Sequence, residues 1–167
     1  MTLVTHVRPG FAANFTKELD LAPVTQGLPF PGSITLKSGT GNNQADLIFT
    51  DQRTLSASGS ESLDLAGVLA GPAGDILTFV KVKGIYVRAA AANGGNIVLG
   101  GASSNAFTGP FGAANDVLNI PAGGYVELCA PVAGWTVTAG TGDLLQVAND
   151  DSGAAATYDI VIIGASA

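Results

Sequence analysis

The sequence predicts an all-β fold, a jelly-roll-like β-sandwich carrying an irregular N-terminal arm. Three observations point there. From Ser33 onward, short stretches rich in β-branched and aromatic residues recur, separated by turns such as GPAGD, AANGGN and NDDSGAA. The 23 glycines and 8 prolines are scattered without period, which excludes a collagen-like repeat and favours many short elements. After the arm, no stretch of ~10–12 residues keeps helical spacing.

Residues 1–32 form the arm and residues 33–167 the sandwich domain. The arm contains Pro9, Pro23, Pro29 and Pro31 and lacks sustained alternation. Within it, Asn14 to Leu21 (NFTKELDL) reads as two helical turns capped by Asn14. The following LAPVTQGLPFPGS cannot be a central strand, because proline removes ladder donors.

The strands of the domain follow in order. Ile34 to Lys37 is the first, and Asp46 to Leu55, rich in β-formers, is the second. Ser60 to Leu65 alternates, with Leu63 and Leu65 inward and Ser62 and Asp64 outward. Leu63 to Leu69 can end as a single helical turn. Ile76 to Arg88 carries Val80 and Val82 on one face, then changes phase at Gly84 to Ile85 and Val87, the signature of a β-bulge. Asn96 to Leu99, Val117 to Ile120, Gly124 to Ala130, Trp135 to Thr138 and Leu144 to Ala148 come next. Thr157 to Ile163 ends apolar on both faces, as a central strand covered on both sides does. Eight to ten short strands suit a sandwich or barrel. A jelly roll, with eight strands in two sheets, is preferred to an immunoglobulin-like sandwich.

Composition bounds the partners. The 167 residues fit one domain, and 47% hydrophobic with only 12% charged residues excludes a disordered chain. So few charges on a Gly/Ala-rich exterior imply that sister subunits or another protein cover part of it. The net charge of −6 and the absence of a basic cluster beyond Lys81 and Lys83 argue against nucleic acid. No window reaches the ~20 apolar residues of a membrane span, and no secretory signal is visible in MTLVTHVRPGFAANF.

Catalytic chemistry finds little to work with, and neither enzymatic activity nor a cofactor is expected. His6 is the only histidine and lies in the arm, far in sequence from Cys129, the only cysteine. Cys129 sits in the apolar run YVELCAP and reads as a buried, inert thiol. One Cys and one His exclude zinc. Asn149-Asp150-Asp151-Ser152, with Asp143, offers oxygen ligands for calcium, but a turn whose side chains bond their own backbone explains it better. Glu61, Asp64 and Glu127 are the carboxylates available for glycosidase chemistry, and solvated strand faces account for them. Asn14-Phe15-Thr16 matches the N-glycosylation triplet, a match common by chance. The echo of Ser38-Gly-Thr-Gly41 in Ala139-Gly-Thr-Gly142 is two turns using the same residues. Trp135 is placed to cap one end of the core. Phe107 and Phe111 stand in the loop SSNAFTGPFGAAND, where burial against a partner is favoured over packing on the domain. With Phe11, Phe15 and Phe30 of the arm, they make up the candidate partner-binding set.

From Gly39 to its end, about three quarters of the chain, the sequence resembles a group of small bacteriophage virion proteins encoded near the major capsid gene. GTGNNQADLIFTDQRTLSAS, SLDLAGVLAGPAGDILTFVKVKGIYV, GGASSNAFTGPFG and TAGTGDLLQVAND…TYDIVIIGAS carry the resemblance, chiefly through their serial order. The resemblance implies a capsid decoration protein, homotrimeric, made in the bacterial cytoplasm and placed on the capsid exterior with the major capsid protein as partner. A tail-tip or fibre module binding host-surface glycan is the alternative, and a carbohydrate-active enzyme a distant third. The arm lies outside the matching region.

Overall fold

Alternating burial along each strand separates two faces, and the apolar faces of two sheets meet to form the core. The computed structural model of the protein describes residues 2–167; the side chains of Phe11, Phe30 and Pro31 lie outside that description. The described residues are all β, without a helix. In chain order the strands are β1 (Thr5–Val7), β2 (Gly10–Lys17), β3 (Val24–Pro31), β4 (Ile34–Ser38), β5 (Gln44–Ala45), β6 (Leu47–Leu55) and β7 (Ser60–Asp64). They continue with β8 (Lys81–Ala89), β9 (Ile97–Gly100), β10 (Val117–Ile120), β11 (Tyr125–Cys129), β12 (Trp135–Thr136), β13 (Leu144–Asn149) and β14 (Ala156–Ala165).

One sheet runs β11-β8-β14-β6, with β12 beside β8, and the other runs β10-β9-β13-β7. Every pairing within these two sheets is antiparallel. Phe49, Val82, Ile85, Val87, Tyr158, Ile160 and Ile162 from the first sheet meet Leu63, Ile97, Leu99, Ile120, Leu145 and Val147 from the second. Each fully buried aliphatic side chain contributes roughly 1.5–3 kcal/mol of transfer free energy. The ten strands expected after Ser33 all form, with small shifts at their ends. The longest expected strand is shortened: β8 begins at Lys81, and Val80 stays partly exposed. Residues 65–68 form a turn rather than a helical turn.

The change of phase at Gly84 is a bulge. Ile163 pairs with Gly84 but Gly164 pairs with Val82, so Lys83 is the extra residue. The bulge brings Val82 and Ile85 onto the same buried face. It also turns Lys83 away from the solvent that Lys81 retains, under the segment Ala130–Gly134. There Lys83 Nζ donates to the carbonyl of Val132 at 2.6 Å. Burial, and secondarily Lys81, lowers the Lys83 pKa from its ordinary value.

The first 32 residues are not an irregular arm. They build most of one long antiparallel ribbon. β1 pairs with β4 (Thr5↔Leu36, Val7↔Ile34), and β2 pairs with β3 (Gly10↔Pro31 through Lys17↔Val24) in the same register. The break lies at Pro9, which has no N–H, and Gly32, where a Cβ would come within 2.7 Å of the Pro9 carbonyl oxygen. The predicted helix over Asn14–Leu21 is absent. Phe15 and Thr16 instead pair with Gln26 and Thr25, and the two threonine hydroxyls lie 3.1 Å apart. Proline is tolerated in β3 because β3 is an edge strand.

The base of the ribbon, extended by β5 beside β4, makes a third layer on the outer face of the five-stranded sheet. Leu36, Ala45 and Ile163 are buried between them, with Ile34, Ile48 and Val161 alongside. At the end of β14, Gly164 lies so close to the start of β8 that a Cβ would collide with the Lys81 carbonyl and sit 2.6 Å from Cδ1 of Phe79, just before that strand. Gly164→Ala should therefore destabilise the protein by about 1–3 kcal/mol, the usual cost of overpacking. Thermal unfolding of the variant checks this; an unchanged midpoint would show that the junction can yield.

Candidate functional site

Three places bring polar or aromatic side chains together: the edge of the sandwich between β6 and β7, the loop after Asn149, and the ribbon with the outer sheet face beside it.

At the sandwich edge, alternation sends Arg53 of β6 and Glu61 of β7 toward the interior, between Leu55 and Leu63. The fully buried Tyr158 hydroxyl donates to Glu61 Oε1 at 2.7 Å. Arg53 Nη1 stands 3.2 Å from Glu61 Oε2, and Arg53 Nε lies 3.6 Å from Asp51. Burial, then the bond to Glu61, pushes the Tyr158 phenol far above its ordinary pKa, so it remains a neutral donor. Phe49, Leu63, Asp64 and Val68 help line an open cavity of about 440 Å³ beside this network. Glu61 thus faces inward as a structural acceptor. Glu127 is exposed on the outer face of its sheet, and Asp64 accepts from the amide of Ala66 at 2.8 Å. The three carboxylates are not brought together in one cleft.

The loop after β13 uses its acidic side chains locally. Asn149 is buried, donates to the carbonyls of Ser56 and Ala154, and accepts from the Asp151 amide. Asp150 receives both the amide and the side chain of Asn96, and Asp151 accepts from the Gly153 amide at 2.7 Å. Asp143, distant from these in its contacts, accepts from the amide of Gly140. Among the described residues, no three His, Cys, Asp or Glu side chains are grouped to hold a metal ion. The Cys129 thiol is half-buried and its pKa is raised by burial and then by Glu127. His6 is exposed on β1, with Nδ1 3.2 Å from the Thr35 hydroxyl.

The five candidate phenylalanines divide. Phe107 is only 2% exposed and belongs to the hydrophobic core, and Phe111 packs partly buried against that core. Burial of this loop against a partner is thus corrected for both rings: the loop folds back on its own domain. Gly109 permits this, since a Cβ there would come within 2.7 Å of Trp135 Cγ and 2.8 Å of Phe107 Cζ. Trp135 closes this end of the core, as expected. Phe15, by contrast, is 63% exposed on β2. Phe11 and Phe30 are backbone partners in the same hairpin, and their side chains lie outside the described residues.

Register places Ala13, Phe15 and Lys17 on one face of the distal ribbon with Val24, Gln26 and Leu28. Asn14, Thr16 and Thr25 lie on the other. The apolar face continues the one that buries Val7 and Leu36 at the ribbon's base. Yet Phe15, Val24 and Leu28 are exposed, as are Leu19 and Leu21 in the connecting turn. An isolated two-stranded hairpin is marginal in water, and the distal ribbon pairs with no further strand among the described residues. Next to its base, a groove of about 250 Å³ opens on the outer sheet face, lined by His6, Val7, Tyr86, Glu127, Leu128 and Val161. Tyr86 and Tyr125 stand beside it with ring centroids 5.8 Å apart. The sequence offered one clue to the ribbon, the apolar residues at odd positions 11, 13 and 15. The prolines of the opposite strand masked it.

The sandwich-edge network makes a graded prediction. Glu61→Ala leaves the buried Tyr158 hydroxyl without an acceptor and Arg53 without its nearest carboxylate. It should cost about 1–3 kcal/mol. Tyr158→Phe leaves Glu61 paired with Arg53 and should cost less, about 1 kcal/mol. Urea unfolding of both variants checks the order; a larger loss for Tyr158→Phe would contradict it.

Comparison of the chain with family models, with curated proteins and with solved structures finds no match.

Proposed function

We propose that this chain is a structural protein of a bacteriophage virion, a capsid decoration protein with a jelly-roll body that binds the outside of the lattice as a homotrimer. The observation that carries the proposal is the projecting ribbon. A protein that works alone gains nothing from an ordered hairpin with Phe15, Val24 and Leu28 exposed, whereas a subunit of an assembly uses it as a contact. The resemblance of the chain's serial motifs to those of small virion proteins prompts the same reading.

The order of strands supports the jelly roll. Taking the eight body strands β6 to β11, β13 and β14 in sequence, the first, eighth, third and sixth form one sheet. The second, seventh, fourth and fifth form the other. Two wound Greek keys produce that order, which recurs in viral capsid and lectin domains.

The mechanism is linkage. A protein that binds the assembled lattice but not its separated subunits stabilises the lattice by mass action, in proportion to RT ln(1 + [L]/Kd). It requires no catalytic group. A homotrimer gives three lattice contacts whose avidity exceeds that of one. The alternative, a tail-tip or fibre module that binds glycan, draws support from exposed Tyr125 next to Tyr86, a small aromatic platform.

Quantitative mass spectrometry of purified virions should find this chain at a copy number comparable to the major capsid protein. A handful of copies would favour the tail module, and absence would overturn the virion assignment. Replacing Pro9–Gly32 by Asn-Gly closes Arg8 and Ser33 with a tight hairpin turn. The body should fold, and its capsid attachment should weaken at least tenfold; unchanged attachment would remove the ribbon from the contact.

A further inference from the structure

We infer that the distal ribbon of one copy lies on the outer face of the five-stranded sheet of a second copy, so that the oligomer is held by exchanged arms. The inference rests on the homo-oligomer in the reading above and names the surfaces that form it. The occupant is set first by continuity. The base of the ribbon, through Ile34 and Leu36, packs on the outer face of its own five-stranded sheet, and Val7 on the same ribbon face is buried. The distal half carries the same face outward in unbroken register. A second copy presents the same kind of surface again: the open part of that sheet, with the groove of about 250 Å³ and the Tyr86–Tyr125 pair. That volume is large enough for one aromatic side chain, and Phe15 is the exposed ring among the described residues of the ribbon.

Charge agrees. Lys17 is the one charged residue on the ribbon face of Ala13, Phe15, Val24, Gln26 and Leu28. Glu127 is exposed beside the groove and, among the described residues, stands in no ion pair. An arm laid over the sheet brings the two signs together. Area decides between a second copy and a foreign protein. Eight residues per strand give a ribbon about 27 Å long, and two strands with their side chains make it about 10 Å wide. Such a footprint is well below the ~800 Å² per partner of an independent interface. Each copy of a closed ring both gives and receives an arm, which doubles the area buried per copy. The other face, with Asn14, Thr16 and Thr25 alongside Ala12 and Pro29, then remains outward.

The test uses the full chain. Light scattering should give an oligomer for the natural sequence. For Phe15→Asp combined with Leu28→Asp it should give the 16.6 kDa mass of a single chain, with the thermal unfolding of the body unchanged. In a Cys129→Ser background, Phe15→Cys with Tyr125→Cys should form disulfides between chains on oxidation. Thr16→Cys with Tyr125→Cys, on the opposite ribbon face, should not. Retention of the oligomer mass by the double aspartate variant would overturn the inference. So would a monomeric natural chain, or a Phe15–Tyr125 disulfide within one chain. Capsid binding is read separately by co-sedimentation. Interchain disulfides without capsid binding would refute decoration and leave the exchanged arms standing. Capsid binding by an oligomer that ignores the aspartates would do the reverse.

Discussion

Burial of β14 on both of its faces fixes the position of every layer. Its inward residues Tyr158, Ile160 and Ile162 fill the space between the two sheets. On the outward side, Ile163 is covered by the base of the ribbon, with Val161 at the margin. β14 also pairs along nearly its whole length with β6 on one side and β8 on the other. Removing its apolar residues would therefore loosen the core, the sheet and the third layer together. The bulge at Lys83 is the local adjustment that lets β8 follow β14 to its end while keeping Val82 and Ile85 in the core.

The edges of the sandwich are closed by different means. At one end, Trp135, Phe107 and Phe111 fold over the core, and Gly109 gives them room. At the β6–β7 edge, the seal is polar: Glu61 accepts from the buried Tyr158 hydroxyl and stands in an ion pair with Arg53, whose Nη1 makes no hydrogen bond. On the outer face of the five-stranded sheet, the rows Gln52–Asp159–Arg88 and Thr54–Thr157 are tied by cross-strand bonds. The bonds from Gln52 and Arg88 hold the Asp159 carboxyl below its ordinary pKa. Polar rows lie at one end of this face and aromatic residues in its middle. The assembly proposed above draws on that surface and on the ribbon.

The body was legible from sequence because alternation and turn residues act locally. Leu63 and Leu65 inward, the phase change at Gly84 and the doubly covered last strand are all matters of period and punctuation, and each forms where expected. The ribbon was not legible. Its pairing joins residues on either side of a turn rich in acidic and apolar residues, and Pro29 and Pro31 argue against a strand unless both strands are edges. The destination of the aromatic loop also depended on tertiary space. Phe107 reads as exposed until Gly109 and Trp135 are seen to make a place for it. Glu61 reads as one more solvated carboxylate, because its acceptor role is set by Tyr158, 97 residues away in sequence.

In the proposed assembly the body folds by itself and the distal ribbon gains its cover from a neighbouring molecule. Hydrogen exchange on the dilute single chain and on the intact virion tests this most directly. Slow exchange is expected across β14 in both samples, with residues 10–31 exchanging fast in the single chain and protected in the virion. Protection of residues 10–31 equal to that of β14 in the single chain, or fast exchange there in the virion, would contradict it.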